Sequence, residues 1–211
     1  MILLAAATEM EIKPILESLP PGVETIITGV GAPIALFHLQ QKMAGFNYSF
    51  AIQMGISGSF SEDLMPGETV IIGHDRFADI GAEENEGFQS IFELGLANEN
   101  SFPFENGWLV NHDPVMDRLP YNKIKSITVN TISGNKEINN RYLNKYGPQA
   151  ETMEGAAFHY VCLMHQIPFL QVRTISNKVG VRDKSKWSIK EAVENLNKEG
   201  QKIIELIRSS L

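Results

Sequence analysis

Apolar residues in this chain occur in two alternating patterns. Short continuous apolar runs are typical of strands buried on both faces of a sheet, and apolar positions three or four apart are typical of helices. The predicted strands are residues 2–7, 23–28, 50–54, 68–73, 124–132 and 169–172. The predicted helices are residues 11–19, 33–43, 138–146, 156–164 and 187–211. Because strands alternate with helices, we predict a single domain, residues 1–211, with a three-layer α/β/α architecture.

Two segments depart from these periods. Gly, Asn, Glu and Phe dominate residues 79–120, where we expect long loops with short elements. A loop region of this length inside a compact chain is often functional. Residues 55–59, Gly-Ile-Ser-Gly-Ser, follow the third predicted strand, and we expect either a plain tight turn or a turn whose backbone N–H groups face a crevice. Pro14 is expected in the first turn of its helix, where a missing N–H is tolerated.

Residues 150–183 place polar side chains where two predicted elements meet. Glu154 lies near a helix start, and Asn177 lies just past the end of a strand. Ligands bind at that edge of open α/β sheets. The alternatives are a carboxylate favoured by the helix dipole for Glu154 and a turn residue for Asn177. Arg173 lies inside an apolar strand, so we expect Glu11 or Glu154 to be its carboxylate partner.

Composition narrows the classes of partner. The chain has 211 residues, 43% of them hydrophobic, and a formal net charge of −7. An acidic chain without a basic stripe is a poor binder of nucleic acid. No apolar run approaches the roughly 20 residues of a membrane span. Because Cys162 is the single cysteine, an internal disulfide is excluded, and we expect a cytoplasmic protein. The histidines form no metal-binding motif, so we expect no metal.

One arrangement of residues resembles a known family. Residues 151–154, Glu-Thr-Met-Glu, and the Ser-Asn pair at 176–177 resemble the purine nucleoside phosphorylase and nucleosidase superfamily. There a Met-Glu pair holds a ribose, and Ser-Asp or Ser-Asn reads a purine. The run at 176–183, followed by Trp187, is similar in particular to the futalosine hydrolases. The resemblance implies a central mixed, partly parallel sheet, a small nucleoside substrate, no cofactor and a homodimer.

The resemblance also implies roles for residues at the predicted crevice. Glu11 would be the general base that holds the attacking water, with Glu9 as the alternative base and a solvated first-turn Glu as the other interpretation. Glu154 would bind the ribose hydroxyls, and Met153 would pack on the sugar. The expected catalytic residues are Glu11 and Asn177, and the expected substrate-binding residues are Ser57, Gly58, Met153, Glu154, Arg173 and Arg182.

The loops near the expected anion site carry acid instead of arginine. In the phosphorylases of this superfamily, the loop that matches residues 55–59 helps to hold phosphate, with arginines nearby. Neither residues 50–54 nor residues 8–11 contain Arg, and the latter include Glu9 and Glu11. Carboxylates there would repel phosphate, so we expect water to be the nucleophile.

Asn177 distinguishes between related activities. Adenine-specific nucleosidases of this superfamily have Asp at the matching position, and this chain departs from them. An amide has two donors and one acceptor, which suits the O6 and N7 acceptors of a 6-oxopurine. The resemblance therefore implies hydrolysis of futalosine, a hypoxanthine nucleoside. The alternatives are a nucleosidase for methylthioadenosine or S-adenosylhomocysteine and a non-catalytic nucleoside-binding protein.

The 5′ substituent of futalosine is expected to lie under residues 77–111. Phe88, Phe104 and Trp108 could pack on its aromatic acid, and Arg182 could pair with its carboxylate. Core packing and surface solvation are the alternatives for these side chains.

Overall fold

The computed structural model describes residues 1–84 and 87–210. Positions 85 and 86 of the predicted loop region and position 211 of the last predicted helix lie outside the described residues. The strands of the described residues are β1 (Ile2–Ala6), β2 (Val23–Ile27), β3 (Phe50–Ser59), β4 (Thr69–Asp75), β5 (Gly81–Glu84), β6 (Gly87–Ser90), β7 (Leu109–Val110), β8 (Lys123–Thr128), β9 (Ala150–Thr152) and β10 (Phe169–Lys178). The α-helices are α1 (Glu9–Leu16), α2 (Ala32–Ala44), α3 (Lys136–Tyr146), α4 (Gly155–His165) and α5 (Ile189–Ser210).

Strand β3 is the centre of a mixed sheet. It pairs in parallel with β1 and β10, and its carboxyl end pairs antiparallel with β9. Strands β4 and β8 connect β10 back to β9, while β1 and β2 extend the sheet on the other side of β3. The carboxyl ends of β1, β3 and β10 therefore meet the short strand β9 at one edge.

Different helices cover the two faces of the sheet. Helices α1 and α5 contribute Ile12, Ile15, Leu196, Ile203, Ile204 and Ile207 to one buried cluster. Helices α2 and α4 contribute Ala32, Ala35, Leu39, Met43, Ala157, Phe158, Val161 and Cys162 to another. The predicted three-layer α/β/α architecture with a mixed, partly parallel sheet is confirmed.

Helix α1 begins earlier in the sequence than predicted. Thr8 is its N-cap in extended conformation, and Glu11 occupies the third helical position of a capping box. The helix therefore starts at Glu9, and Pro14 lies in the second turn. The expectation that Pro14 belongs to the first turn is wrong, and the helix ends soon after it, at Leu16.

The predicted turn at residues 55–59 is also wrong, because β3 continues to Ser59. Gly55 has a packing reason to be glycine in this strand. A Cβ atom there would lie 2.1 Å from Nη1 of Arg173, so the missing side chain lets the guanidinium lie against the strand. Strand β10 likewise continues to Lys178 with an irregularity between Ile175 and Asn177, so Asn177 lies within the strand and not after it.

Gly155, the first residue of α4, packs directly on buried polar side chains. A Cβ atom there would lie 2.1 Å from Nε2 of Gln171 and 2.2 Å from Oδ2 of Asp75. Asp75 is held in place, because it accepts hydrogen bonds from Thr128 Oγ1 at 2.9 Å and from Gln171 Nε2 at 3.1 Å. The start of α4 therefore has no room for a larger residue.

We expect Gly155→Ala to lower the free energy of unfolding by about 1–3 kcal/mol, the usual cost of overpacking a well-filled site. The measurement is the urea midpoint of purified protein. Gly73→Ala is the matched control, since a Cβ atom on Gly73 in β4 would meet no atom within 4 Å. Equal midpoints for the two variants would contradict the packing described for Gly155.

Candidate active site

A cleft of about 200 Å³ opens where β1, β3, β9 and β10 end. Six of the eight candidate residues line it: Glu11, Ser57, Gly58, Met153, Glu154 and Asn177. The cleft also contains residues to which no role was predicted, among them Val30, Ile132, Glu151, Thr152 and Trp187.

Glu11 is a buried carboxylate at the wall of the cleft, with 6% of its surface exposed. Its Oε2 accepts hydrogen bonds from the backbone N–H and the hydroxyl of Thr8, both at 3.0 Å. Its Oε1 accepts from the backbone N–H of Ile56 at 3.1 Å. A carboxylate has about four lone-pair positions, so one remains for a water molecule or a substrate hydroxyl. Glu11 is therefore not a solvated first-turn residue, whereas Glu9 is exposed.

Glu154 links two elements at the opposite wall of the cleft. It is the N-cap of α4, and its Oε1 accepts from the backbone N–H of Gly31 at 2.9 Å. Gly31 has a φ of 98°, a conformation that favours glycine. Burial raises the pKa of the Glu154 carboxyl, while nearby Arg173 and the Gly31 N–H oppose that rise. Since Glu154 lines the cleft, its carboxyl can also be reached by a ligand there.

Arg173 lies beneath the cleft and does not line it. The side chain is 1% exposed, and its Nη2 donates to Oε1 of Gln53 at 2.7 Å. The expected carboxylate partner, Glu11 or Glu154, is thus replaced by a neutral amide as the hydrogen-bond acceptor. The positive charge still acts on the carboxylates, because it lowers the pKa of Glu154 and of Asp75 against the effect of burial. Sequence reasoning missed Gln53, although a Gln inside an apolar strand was the available signal.

Asn177 lies in the cleft with a defined amide orientation. Its Oδ1 accepts from the hydroxyl of Ser176 at 2.8 Å, and its Nδ2 donates to the backbone carbonyl of Lys178 at 2.9 Å. Since an amide nitrogen carries two hydrogens, one N–H remains for a ligand. Asn177 is thus placed to donate to an acceptor in the cleft.

Ser57 and Gly58 form the floor of the cleft on β3. The Ser57 hydroxyl is buried and has no hydrogen-bond partner within the described part of the chain. Gly58 is paired with Glu151 on β9 and with Asn177 on β10, and a Cβ atom there would lie 3.0 Å from Cγ2 of Val179. Both residues thus face the cleft from a strand and not from the predicted loop.

The residues expected around a 5′ substituent do not line this cleft. Arg182 is exposed, and its guanidinium lies 5.5 Å from the centre of the Trp187 ring. Phe88 packs against Arg141 and Lys145, and Trp108 against Arg76 and Lys125. Phe104 lines a separate apolar cavity of about 630 Å³ with Leu36, Phe77, Phe92 and Tyr160. That cavity is larger than the cleft but has no acidic lining residue, so we place the chemistry in the cleft.

Two features are absent from residues 1–84 and 87–210. No group of three or more His, Cys, Asp or Glu side chains is arranged to hold a metal ion. No helix among these residues is long and apolar enough to cross a membrane.

The chain was compared with known protein families and proteins. Residues 22–211 match the family described as the phosphorylase superfamily. A futalosine hydrolase of Streptomyces coelicolor is 28% identical over 200 residues, which cover 92% of this chain and 83% of that protein. A futalosine hydrolase of Thermus thermophilus is 28% identical over 172 residues, which cover 80% of this chain and 75% of that protein.

Solved structures share the architecture. The native structure of futalosine hydrolase of Helicobacter pylori has a TM-score of 0.78 at 14% identity and covers 97% of both chains. A putative 5′-methylthioadenosine/S-adenosylhomocysteine nucleosidase from Francisella philomiragia has a TM-score of 0.79 at 15% identity and covers 98% of both chains. At such low identity these similarities establish the fold alone.

Proposed function

Since the chain belongs to the phosphorylase superfamily, we propose that it hydrolyses the N-glycosidic bond of futalosine and releases hypoxanthine and dehypoxanthine futalosine. The observation that carries the proposal is one cleft that holds a buried carboxylate, Glu11, and an oriented amide, Asn177. The futalosine hydrolases among the relatives, which are 27–28% identical to this chain, support the choice of substrate.

The proposed reaction uses three parts of the cleft. Glu11 accepts a proton from a water molecule as the water oxygen bonds to C1′ of the ribose, a contribution of about two to four orders of magnitude. The C1′–N9 bond breaks, and its electron pair leaves with the purine while Asn177 donates a hydrogen bond to the base. The departing base takes a proton from solvent to become hypoxanthine, and Glu11 returns the proton of the water to solvent. Glu154 accepts from the ribose hydroxyls, and Met153 packs on the sugar. The positive charge of the ribose in the transition state is stabilised by the two carboxylates.

Two rival functions are weighed against specific residues. An adenine-specific nucleosidase shares the fold, and nucleosidases of that kind are among the solved structures with the same architecture. The Asn177 amide disfavours it, because a 6-amino group is itself a donor. A non-catalytic nucleoside-binding protein would not need a buried carboxylate with an unused lone pair at the sugar side, and Glu11 is such a carboxylate.

One incubation separates these functions. Purified protein is mixed with futalosine, aminofutalosine or methylthioadenosine, with and without inorganic phosphate, and the free bases are measured by chromatography. The proposal expects hypoxanthine from futalosine at a rate independent of phosphate. Faster release of adenine from methylthioadenosine would favour the rival nucleosidase, and release of no base would favour the binding protein.

We also propose that the protein is located in the cytoplasm and acts in menaquinone biosynthesis. We propose further that it is a homodimer. Helix α2 supports self-association, because Ile34 and Phe37 lie on its surface and are 50% and 62% exposed. The apolar cavity beside α2 adds to this surface through Pro33 and Leu36. Light scattering after gel filtration measures the assembly, and a monomer at micromolar concentration would contradict the proposed dimer.

A further inference from the structure

Glu151 is a buried carboxyl that the proposed reaction does not use. It lies in the cleft with 5% of its surface exposed, and its Oε2 has no hydrogen-bond partner among the described residues. Burial raises the pKa of this carboxyl to about 7, with Asp79 adding to the rise and Arg182 opposing it. A buried polar atom without a partner is costly, so natural sites usually keep one for a ligand, an ion or water.

Glu151 and Asn177 occupy the same register position on two strands that both pair with β3. Asn177 on β10 is paired with Gly58 on β3, and Gly58 is paired with Glu151 on β9. Neighbouring strands lie about 4.8 Å apart, so the Cα atoms of Glu151 and Asn177 are roughly 10 Å apart. All three residues line the cleft, with the Asn177 amide on one side of Gly58 and the Glu151 carboxyl on the other. A Cβ atom on Gly58 would lie 3.5 Å from Nδ2 of Asn177 and 3.0 Å from Cγ2 of Val179, so the missing side chain leaves the amide free on the side of Gly58.

The two side chains complement one edge of a 6-oxopurine. That edge presents O6, an acceptor, next to N1–H, a donor. The Asn177 amide donates and an ionised carboxylate only accepts, so the pair matches O6 and N1–H. A 6-aminopurine has the reverse pattern, because its amino group donates and its N1 accepts. We propose that Glu151 accepts the hydrogen bond from N1–H and, together with Asn177, sets the specificity for the base. This inference rests on the proposed function.

The test is the ratio of kcat/KM for futalosine to that for aminofutalosine in the wild type and in Glu151→Gln. The glutamine amide can accept from N1–H and can also donate to the N1 of adenine. The variant should therefore lose one source of discrimination, and we expect the ratio to fall at least ~10-fold. Glutamine is nearly isosteric with glutamate, and the urea midpoint checks that the variant is folded. An unchanged ratio in the folded variant overturns the inference.

Glu154→Gln is the matched control. It removes a carboxylate from the same cleft at the ribose side, so both nucleosides should be cleaved more slowly and the ratio should stay within about twofold, since neither base contact changes. A general disturbance of the cleft would change this ratio as well, and that result would also overturn the role of Glu151.

Measuring the binding of the free bases tests the role of Glu151 independently of the proposed hydrolysis. Calorimetry with hypoxanthine and adenine needs no turnover, and Glu151→Gln should reduce the preference for hypoxanthine in the same way. A wild-type protein that cleaves neither nucleoside but prefers hypoxanthine through Glu151 would contradict the proposed hydrolysis alone. Equal affinity of the wild type for both bases would overturn the base-reading role.

Discussion

Glu11→Gln is expected to lower kcat for futalosine by about two to four orders of magnitude, because the variant has no base to accept the proton of the attacking water. KM should change much less. The glutamine oxygen can still accept the N–H of Ile56, but its amide nitrogen cannot accept from Thr8, so part of the helix cap is lost. Loss of such a cap lowers stability by about 1 kcal/mol, which the urea midpoint separates from the loss of kcat.

Glu9→Gln is the matched control for this experiment. Glu9 begins the same helical turn but is exposed and does not line the cleft. Its variant should keep nearly wild-type kcat. The opposite outcome, with full turnover in Glu11→Gln and loss of turnover in Glu9→Gln, would make Glu9 the base and would show that the proposed role of Glu11 is incorrect.

Wild-type protein is expected to prefer futalosine over aminofutalosine by at least ~10-fold in kcat/KM, and Asn177→Asp should narrow or reverse that preference. A buried donor that meets another donor loses about 1–3 kcal/mol. The new aspartate can accept from a 6-amino group but must be protonated to donate to N7. In the wild type, the carbonyl of Lys178 accepts from the Asn177 amide at 2.9 Å. In the variant, the new carboxyl would face this carbonyl. Two facing acceptors disfavour the ionised form and raise the pKa of the carboxyl.

The variant should therefore work best at low pH. A carboxyl normally titrates near pH ~4, and its donor form is lost as the pH rises through its pKa. The wild-type amide does not titrate, so the contribution of Asn177 to the wild-type preference should be constant with pH. Any change of the wild-type preference should come from Glu151, whose pKa burial raises to about 7, and should favour futalosine more as the pH rises and that carboxyl ionises. The measurement is kcat/KM for both nucleosides from pH 5 to pH 9. Equal wild-type efficiency on both, with no change in the variant, would mean that Asn177 does not read the base.

Periodicity was sufficient to predict most elements because the buried strands and the amphipathic helices have strong local patterns. Residues 2–7 and 138–146 differ from the observed β1 and α3 by two residues or fewer at each end. Local patterns failed where a distant contact decides the conformation. Residues 55–59 have the composition of a turn, but Gly55 is glycine because Arg173 lies against it. Strand β9 has three residues and no period that could be detected.

The candidate site was predicted in part for a similar reason. Residues next to the ends of predicted strands, such as Glu11 and Asn177, could be assigned to one edge of the sheet from sequence order alone. The prediction of Glu11 or Glu154 as the partner of Arg173 was wrong, because the observed acceptor, Gln53, lies on the neighbouring strand β3 and no single segment contains that pairing. The role of Glu151 depends on a strand register that places it beside Gly58, and no single segment contains that information.

The most direct test of the central claim is the fate of oxygen when the protein cleaves futalosine in ¹⁸O-labelled water without phosphate. We expect free hypoxanthine in amounts equal to the futalosine consumed, and mass spectrometry should find ¹⁸O on C1 of the sugar product. A control in unlabelled water corrects for exchange at the anomeric carbon. No release of hypoxanthine without phosphate, or a sugar phosphate as the product when phosphate is added, would contradict the assignment as a hydrolase.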